Sequence, residues 1–370
     1  MPEREEKTYG VAAKAKVGRI PGPDLPYQPE RPRQYSPAIG LIGCGGVSEQ
    51  HLKAYQKAGY RVVALADRHR DRAERRRFEF FPGADVYEDY RGVLDRRDIE
   101  VVDLTPHPAD RLPLIEQALL AGKHVLSQKP FVQDLDQGQR LIEIAKRQNV
   151  HLAVNQNGRW APHFSYLRQA IRQGILGQIV AVHFSVHWNH HWIVGTPFEE
   201  VHPLILLDFG IHWFDMLCCI MDGRPARRVY ASMTRSVGQT ARPPFLAQAL
   251  VEYDDAQASL VFDADARYAP LDQTIVVGTA GSVHSQGPDL QEQSLTLTTA
   301  AGSAVADLRG QWFPDGFHGA MADLLCAIES GREPSHSAAN NMASLALCYA
   351  AVASAVRKEP LAVGSVRKLE

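Results

Sequence analysis

The chain has only five cysteines in 370 residues, at 44, 218, 219, 326 and 348. The number is odd and no pair has metal-ligand spacing, which argues against a disulfide framework or a cysteine-built zinc site. Reduced thiols in a cytoplasmic setting are expected. Charge of one sign is also missing, since 40 Lys and Arg stand against 42 Asp and Glu for a formal net charge of −2. The one basic run, Arg72-Ala73-Glu74-Arg75-Arg76-Arg77, is flanked by acids and reads as a solvated helix face, so no nucleic-acid partner is expected. No apolar run approaches the length of a membrane span, and the opening Met-Pro-Glu-Arg-Glu-Glu-Lys is too charged for a signal peptide. No membrane partner is expected either.

What is present is ordinary for a globular protein, with 45% hydrophobic and 22% charged residues. The length exceeds that of a usual single core, so more than one domain is expected. Residues 1–36 hold six prolines with little apolar periodicity and read as an extended arm. From residue 37 short apolar strands alternate with amphipathic helices up to about 157, the pattern of a doubly wound parallel sheet. Strands are expected near 38–43, 61–66, 100–105, 123–127 and 150–155, and helices near 48–58, 69–79, 88–96, 110–121 and 133–148. Over 158–370 a helix near 161–174 is followed by successive strand-like stretches at 178–188, 226–234, 245–253, 257–264, 272–278 and 294–299. Helices near 208–222, 315–330 and 338–356 would cover them, giving an α+β domain with a mostly antiparallel sheet.

The first chemical signal is Ile39-Gly40-Leu41-Ile42-Gly43-Cys44-Gly45-Gly46-Val47-Ser48, an apolar run that breaks into glycines before a helix start. Gly43 and Gly45 fill the first two places of the dinucleotide fingerprint G-x-G-x-x-G/A, and Ser48 fills the third with a small residue. Ser48 is also a candidate N-cap. Arg61–Asp67 is a second apolar strand ending in an acid 24 residues after Gly43, placed to accept hydrogen bonds from ribose hydroxyls. Gly43, Gly45, Gly46, Val47, Ser48, Asp67, Arg68, Thr105, Pro106, Gln128 and Lys129 form the expected cofactor set, near strand carboxyl ends. Asp67 disfavours a 2′-phosphate and neighbouring Arg68 could attract one, so NAD is expected ahead of NADP.

Ala121-Gly122-Lys123-His124-Val125-Leu126-Ser127-Gln128-Lys129-Pro130 resembles the A-G-K-H-V-x-x-E-K-P signature of the glucose-fructose oxidoreductase/inositol dehydrogenase (Gfo/Idh/MocA) family. Thr105-Pro106, Gly174–Val180, Leu207–Asp215 and Phe317–Pro334 resemble further family segments in the right order, so the likeness spans about residues 37–360. The chain departs from the family at Gln128, where Glu is usual, at His107, and at Arg111, near the place of a frequent histidine.

The resemblance implies a sugar or cyclitol oxidoreductase with Lys129, Asp208 and His212 as its catalytic set, and a cis Lys129–Pro130 bond. As an ammonium, Lys129 would stabilise negative charge developing on a substrate oxygen. Asp208 and His212 are four apart, one helical turn, and could share a face, with His212 as general base. Asn157, Arg159, Trp160, His187, Trp188, Trp192 and His318 are the candidate substrate contacts, aromatic faces and polar donors suiting a sugar ring. His187, His190 and His191 have H-x-x-H-H spacing, but no metal is expected, the family not being metal-dependent. The resemblance further implies a homodimer or homotetramer through the open face of the second sheet. Two other functions stay open: an NAD-dependent glycosidase working by transient oxidation, and a non-catalytic cofactor-sensing regulator.

Overall fold

The structure, a computed structural model, describes residues 17–369; the first sixteen residues of the expected arm lie outside it. Residues 17–36 of that arm run along the body. Ile20 donates its N–H to Ser303 O, Tyr166 Oη donates to Pro23 O, and Glu329 accepts the amides of Arg33, Gln34 and Tyr35.

The first unit alternates strand and helix: β1 (Ala38–Ile42), α1 (Ser48–Ala58), β2 (Arg61–Ala66), α2 (Arg70–Phe80), β3 (Asp85–Tyr87), α3 (Arg91–Leu94), β4 (Ile99–Leu104), α4 (Pro108–Leu120), β5 (His124–Gln128), α5 (Leu135–Gln148) and β6 (Leu152–Asn155). Its six strands are parallel in the order β3-β2-β1-β4-β5-β6, a doubly wound sheet whose order reverses between β1 and β4. Every residue of β1 is buried, as expected of a central strand covered on both faces. Two local expectations differ. The helix expected at 88–96 is a single turn, and β3, only three residues long, was not anticipated.

The second unit begins with α6 (Pro162–Arg172) and the long β7 (Ile179–His187). Then follow α7 (Ile211–Ile220), β8 (Arg228–Thr234), β9 (Leu246–Glu252), β10 (Gln257–Asp263), β11 (Leu271–Gly278), β12 (Gly281–Gly287), β13 (Ser294–Thr299), β14 (Gly302–Val305), α8 (Trp312–Ser330), α9 (Ala338–Arg357) and β15 (Leu361–Ala362). Nine strands form one sheet, antiparallel except for the β7–β10 pair. One face is buried, with Val182, Phe184 and Val186 of β7 turned into the core. The alternate residues His183, Ser185 and His187 lie on the opposite face, where Tyr230, Leu250 and Val261 are exposed.

Helix α9 is long and apolar enough to cross a membrane, with mean hydropathy 1.3, contrary to the expectation of no such run. It packs against α7 and β8 instead, and 56% of its most apolar window is buried. Helix α8 packs back against α1, so the second unit's last long helices brace the first sheet. The basic run on α2 is not wholly solvated: Arg76 is 4% exposed, pairing with Glu49 at 2.9 Å and Glu79 at 2.7 Å.

Candidate active site

The glycine turn sits at the carboxyl end of β1, beside the switch point. Gly43 has φ +98°, and a Cβ there would lie 2.8 Å from the Pro106 nitrogen, so a side chain is excluded by both backbone and space. Thr105 accounts for its own place: its hydroxyl donates to Gly43 O, and with Pro106 it braces the turn. Ser48 is not the N-cap. It is the first residue of α1, fully buried, and its Oγ donates to Gly45 O at 2.6 Å.

This turn fits a dinucleotide. A Cβ added at Gly45 or Gly46 would meet nothing within 4 Å, so the backbone there borders open space. Among the described residues the amides of Gly45, Gly46, Val47 and Ser48 have no acceptor. Four unpaired N–H groups at a helix start make an anion-binding cradle. Asp67 accepts from Cys44 N at 2.7 Å and His69 N at 2.8 Å, one bond per oxygen. A carboxylate has about four acceptor sites, so capacity for ribose hydroxyls remains. Arg68 is exposed and lies 3.7 Å from Asp110.

Lys129 follows β5, and its peptide bond to Pro130 is cis. Its Nζ donates to the Asp208 carbonyl at 2.7 Å and lies 3.0 Å from Asp208 Oδ1. Asp208 comes from the second unit, within a turn of π-helix (Ile205–Phe209) leading into α7. The single regular helix expected at 208–222 is therefore corrected: Gly210 N bonds to Ile205 O at 2.7 Å, five residues back. Asp208 and His212 consequently straddle a π-to-α junction. The wide turn leaves the Asp208 carbonyl available to Lys129.

His212 packs edge-on against Trp312, with ring centroids 5.5 Å apart. Burial, and then the nearby Lys129 ammonium, push its imidazole well below the ordinary value, so it is neutral at neutral pH. Its Nδ1 is buried without a partner. Asn157 acts behind it, its Oδ1 accepting from Trp312 Nε1 at 2.7 Å.

Two side chains at this cleft were noted in the sequence but given no place in the site. His190 is 7% exposed and boxed by Trp188, Trp192, Phe209 and Phe245. Its Nδ1 accepts from Trp188 Nε1 at 2.7 Å and Trp192 Nε1 at 3.3 Å. Two indole donors on one nitrogen hold the proton on Nε2, leaving a fixed Nε2–H donor. Burial pushes this ring down to about 4, with Asp208 and Lys129 near enough to act on it in opposite directions. Arg111 is 1% exposed, donating to the carbonyls of Pro106 (3.1 Å) and Pro130, and so ties the two strand-end turns together. Burial pushes its guanidinium down to about 9 against the favourable field of Asp208.

Several expected contacts lie elsewhere. Gln128 does not face the cleft: it is 4% exposed, its Oε1 accepting from Lys129 N at 2.7 Å and its Nε2 3.2 Å from His51 Nε2. It belongs to a buried polar network with His51, Tyr55, Asp103 and Asn155. Arg159 is locked in a fork with Asp215, both bonds 2.6 Å, and donates further to Ser335 O and Asn340 Oδ1. Trp160 is 8% exposed, packed on His336 and beneath the Arg168 guanidinium. His187 lies on the open sheet face, bonded to Ser185 Oγ at 2.9 Å. His318 packs on Tyr60, at the amino end of β2 and thus the wrong edge of the sheet. Trp188 and Trp192 remain, the former stacked on Phe209 at 3.9 Å and the latter 59% exposed. The histidine cluster is dispersed among separate partners, His191 bonding Thr240 and Asp265. Among the described residues no group of three His, Cys, Asp or Glu side chains is placed to hold a metal.

Residues 38–156 match the oxidoreductase family, NAD-binding Rossmann fold, and residues 164–284 match the GFO/IDH/MocA C-terminal domain. The chain belongs to the Gfo/Idh/MocA family of NAD-binding oxidoreductases. It is 26% identical over 339 residues to D-apiose dehydrogenase of Paraburkholderia graminis, covering 85% of this chain and 86% of that protein. It is 25% identical over 335 residues to inositol 2-dehydrogenase of Rhizobium meliloti, covering 88% and 98%. An Agrobacterium radiobacter oxidoreductase, solved with NAD+, L-tartaric acid and magnesium, superposes with a TM-score of 0.80 at 21% identity, over 89% of this chain and 99% of that one. That last likeness shows the fold.

Proposed function

We propose that this protein is an NAD-dependent dehydrogenase interconverting a ring secondary alcohol and its ketone on a sugar, glycoside or cyclitol. The observation that carries the reading is the meeting of Lys129 from one unit with Asp208 and His212 from the other, beside a glycine turn open to a pyrophosphate. The relatives named for D-apiose and inositol support the substrate class.

When bound, NAD would supply the hydride acceptor or donor, held by the open amides of Gly45, Gly46, Val47 and Ser48 and by Asp67. The chain's own task is the oxygen. An ammonium has three donors; one on Lys129 goes to the Asp208 carbonyl and the charge lies 3.0 Å from Asp208 Oδ1, so donor capacity remains for the reacting oxygen as negative charge develops there. His212, neutral because it is buried beside a cation, accepts the hydroxyl proton in oxidation and returns it in reduction. The second Asp208 oxygen accepts from a neighbouring hydroxyl. Trp188 and Trp192 offer apolar faces to ring C–H groups, and exposed Trp192 extends the wall toward an aglycone. Asp67 disfavours a 2′-phosphate, and Arg68 is turned to Asp110, which favours NAD over NADP. The apolar residues Tyr230, Leu250 and Val261 on the open sheet face form the contact of a homodimer or homotetramer.

The test is a panel of sugars, glycosides and cyclitols with NAD or NADP, following reduced cofactor by absorbance and the product by mass. A ring ketone formed in step with NADH is the expected result. Aglycone release without net NADH would replace this reading with the glycosidase, and no turnover of any ring alcohol would overturn it.

A further inference from the structure

The carboxyl end of α7, remote from Asp208 and His212, opens onto a cavity of about 450 Å³. Four arginines line it, Arg159, Arg168, Arg172 and Arg224, opposite an apolar wall that includes Tyr253 and Leu347. Two of the arginines are neutralised. Arg159 has Asp215, and Arg224 bonds Asp255 and Ile179 O.

Arg168 is different. It is 8% exposed, yet among the described residues no carboxylate lies within salt-bridge distance of it. Its bonding consists of one contact from Nη1 to Arg159 O at 2.8 Å, with the guanidinium 5.7 Å above the Trp160 ring. Buried charges are normally paired, because an uncompensated one keeps most of its desolvation penalty. Burial pushes Arg168 down to about 10, with Arg159 and Arg172 adding to the effect and Cys219 and Asp215 opposing it. Arg172, on the next turn of α6, is exposed and also has no ion pair among the described residues.

The nearby acids and thiols do not supply the missing charge. Asp215 is saturated by Arg159, Asn341 and Ser344. Burial pushes the Cys218 and Cys219 thiols up, so neither is a thiolate at neutral pH. Asp222, at the rim, makes no ion pair among the described residues. Behind Arg168 lies a smaller cavity of about 280 Å³, bordered by Glu30 and Asp323. Asp323 is engaged by Arg332, Ser335 and His336, and Glu30 makes no ion pair among the described residues.

We propose that this cavity binds a small organic anion, a single phosphate or carboxylate on an apolar body, with Arg168 and Arg172 gripping the head group and Tyr253 and Leu347 covering the body. The planar guanidinium fork matches either head group. The inference does not depend on the dehydrogenase reading, since the cavity lies outside that cleft.

The test titrates phenyl phosphate and benzoate separately into the full-length protein at constant ionic strength, followed by calorimetry, with inorganic phosphate and phenol as controls. Saturable binding of at least one of the two aromatic anions is expected, with affinity reduced tenfold or more in Arg168→Met and in Arg172→Ala. The head group preferred distinguishes a phosphate site from a carboxylate site. Arg172 is exposed, so its variant keeps the test decisive if Arg168→Met fails to fold. No saturable binding of either anion, binding unchanged in Arg172→Ala, or phenol binding as tightly as the anions would overturn the proposal.

Discussion

His163 and His190 are each less than a tenth exposed, and burial pushes their imidazoles down to about 3 and about 4. In the unfolded chain each takes up a proton near pH 6.5. The folded pKa is the lower one, so the unfolded state binds more protons as pH drops below about 6.5, and stability declines. Linkage puts the loss at roughly 2 kcal/mol per such histidine by pH 5. Urea unfolding at pH 7.5 and pH 5.0 should show this decline, with a smaller difference in His190→Phe; equal stability at both pH values would contradict it. The same burial keeps His190 a neutral donor. Its importance was illegible in sequence, where it stood as one of three histidines in H-x-x-H-H; only the convergence of two indoles on Nδ1 singles it out. Arg159 misled in the opposite direction. A buried arginine paired with a distant Asp215 looks, in sequence, like any other polar donor.

At the scale of elements, the π-helical turn before α7 decides where Asp208 points. Gly210 allows it, since a Cβ there would sit 2.9 Å from both Ile205 O and Leu206 O, which are backbone atoms that cannot swing away. Gly210→Ala is expected to cost about 1–3 kcal/mol through this overpacking. It should also lower turnover by tenfold or more, by moving the Asp208 carbonyl from Lys129. Unfolding curves and kinetics on one preparation check both, and wild-type values would remove the turn from the site's design. Strong periodicity made most elements legible: the buried run of β1, the amphipathic α5 and the alternating β9 all announce themselves. The misses have weak local signals. Strand β3 is three residues on a sheet edge, and β12 (Gly-Ser-Val-His-Ser-Gln-Gly) holds one β-branched residue and is a strand because β11 and β13 pair with it. The π turn had no signal beyond Gly210, because five-residue spacing is set by tertiary contacts.

Over the whole molecule, two sheets of different construction meet so that a lysine at the end of β5 reaches an aspartate from the π turn before α7. The glycine turn, the K-P turn and the D-x-x-x-H segment were all readable in sequence because each keeps a fixed local spacing. Their convergence was readable only through resemblance, since 79 residues separate Lys129 from Asp208. The most direct measurement is kcat/KM for a ring alcohol that yields NADH, in the wild type, Lys129→Met and His212→Asn, with NADH affinity measured in parallel by fluorescence. Each variant should lose at least ~100-fold in kcat/KM, the usual scale for removing a positioned acid or base, while NADH affinity falls far less than kcat/KM. Wild-type turnover in either variant would contradict the assignment.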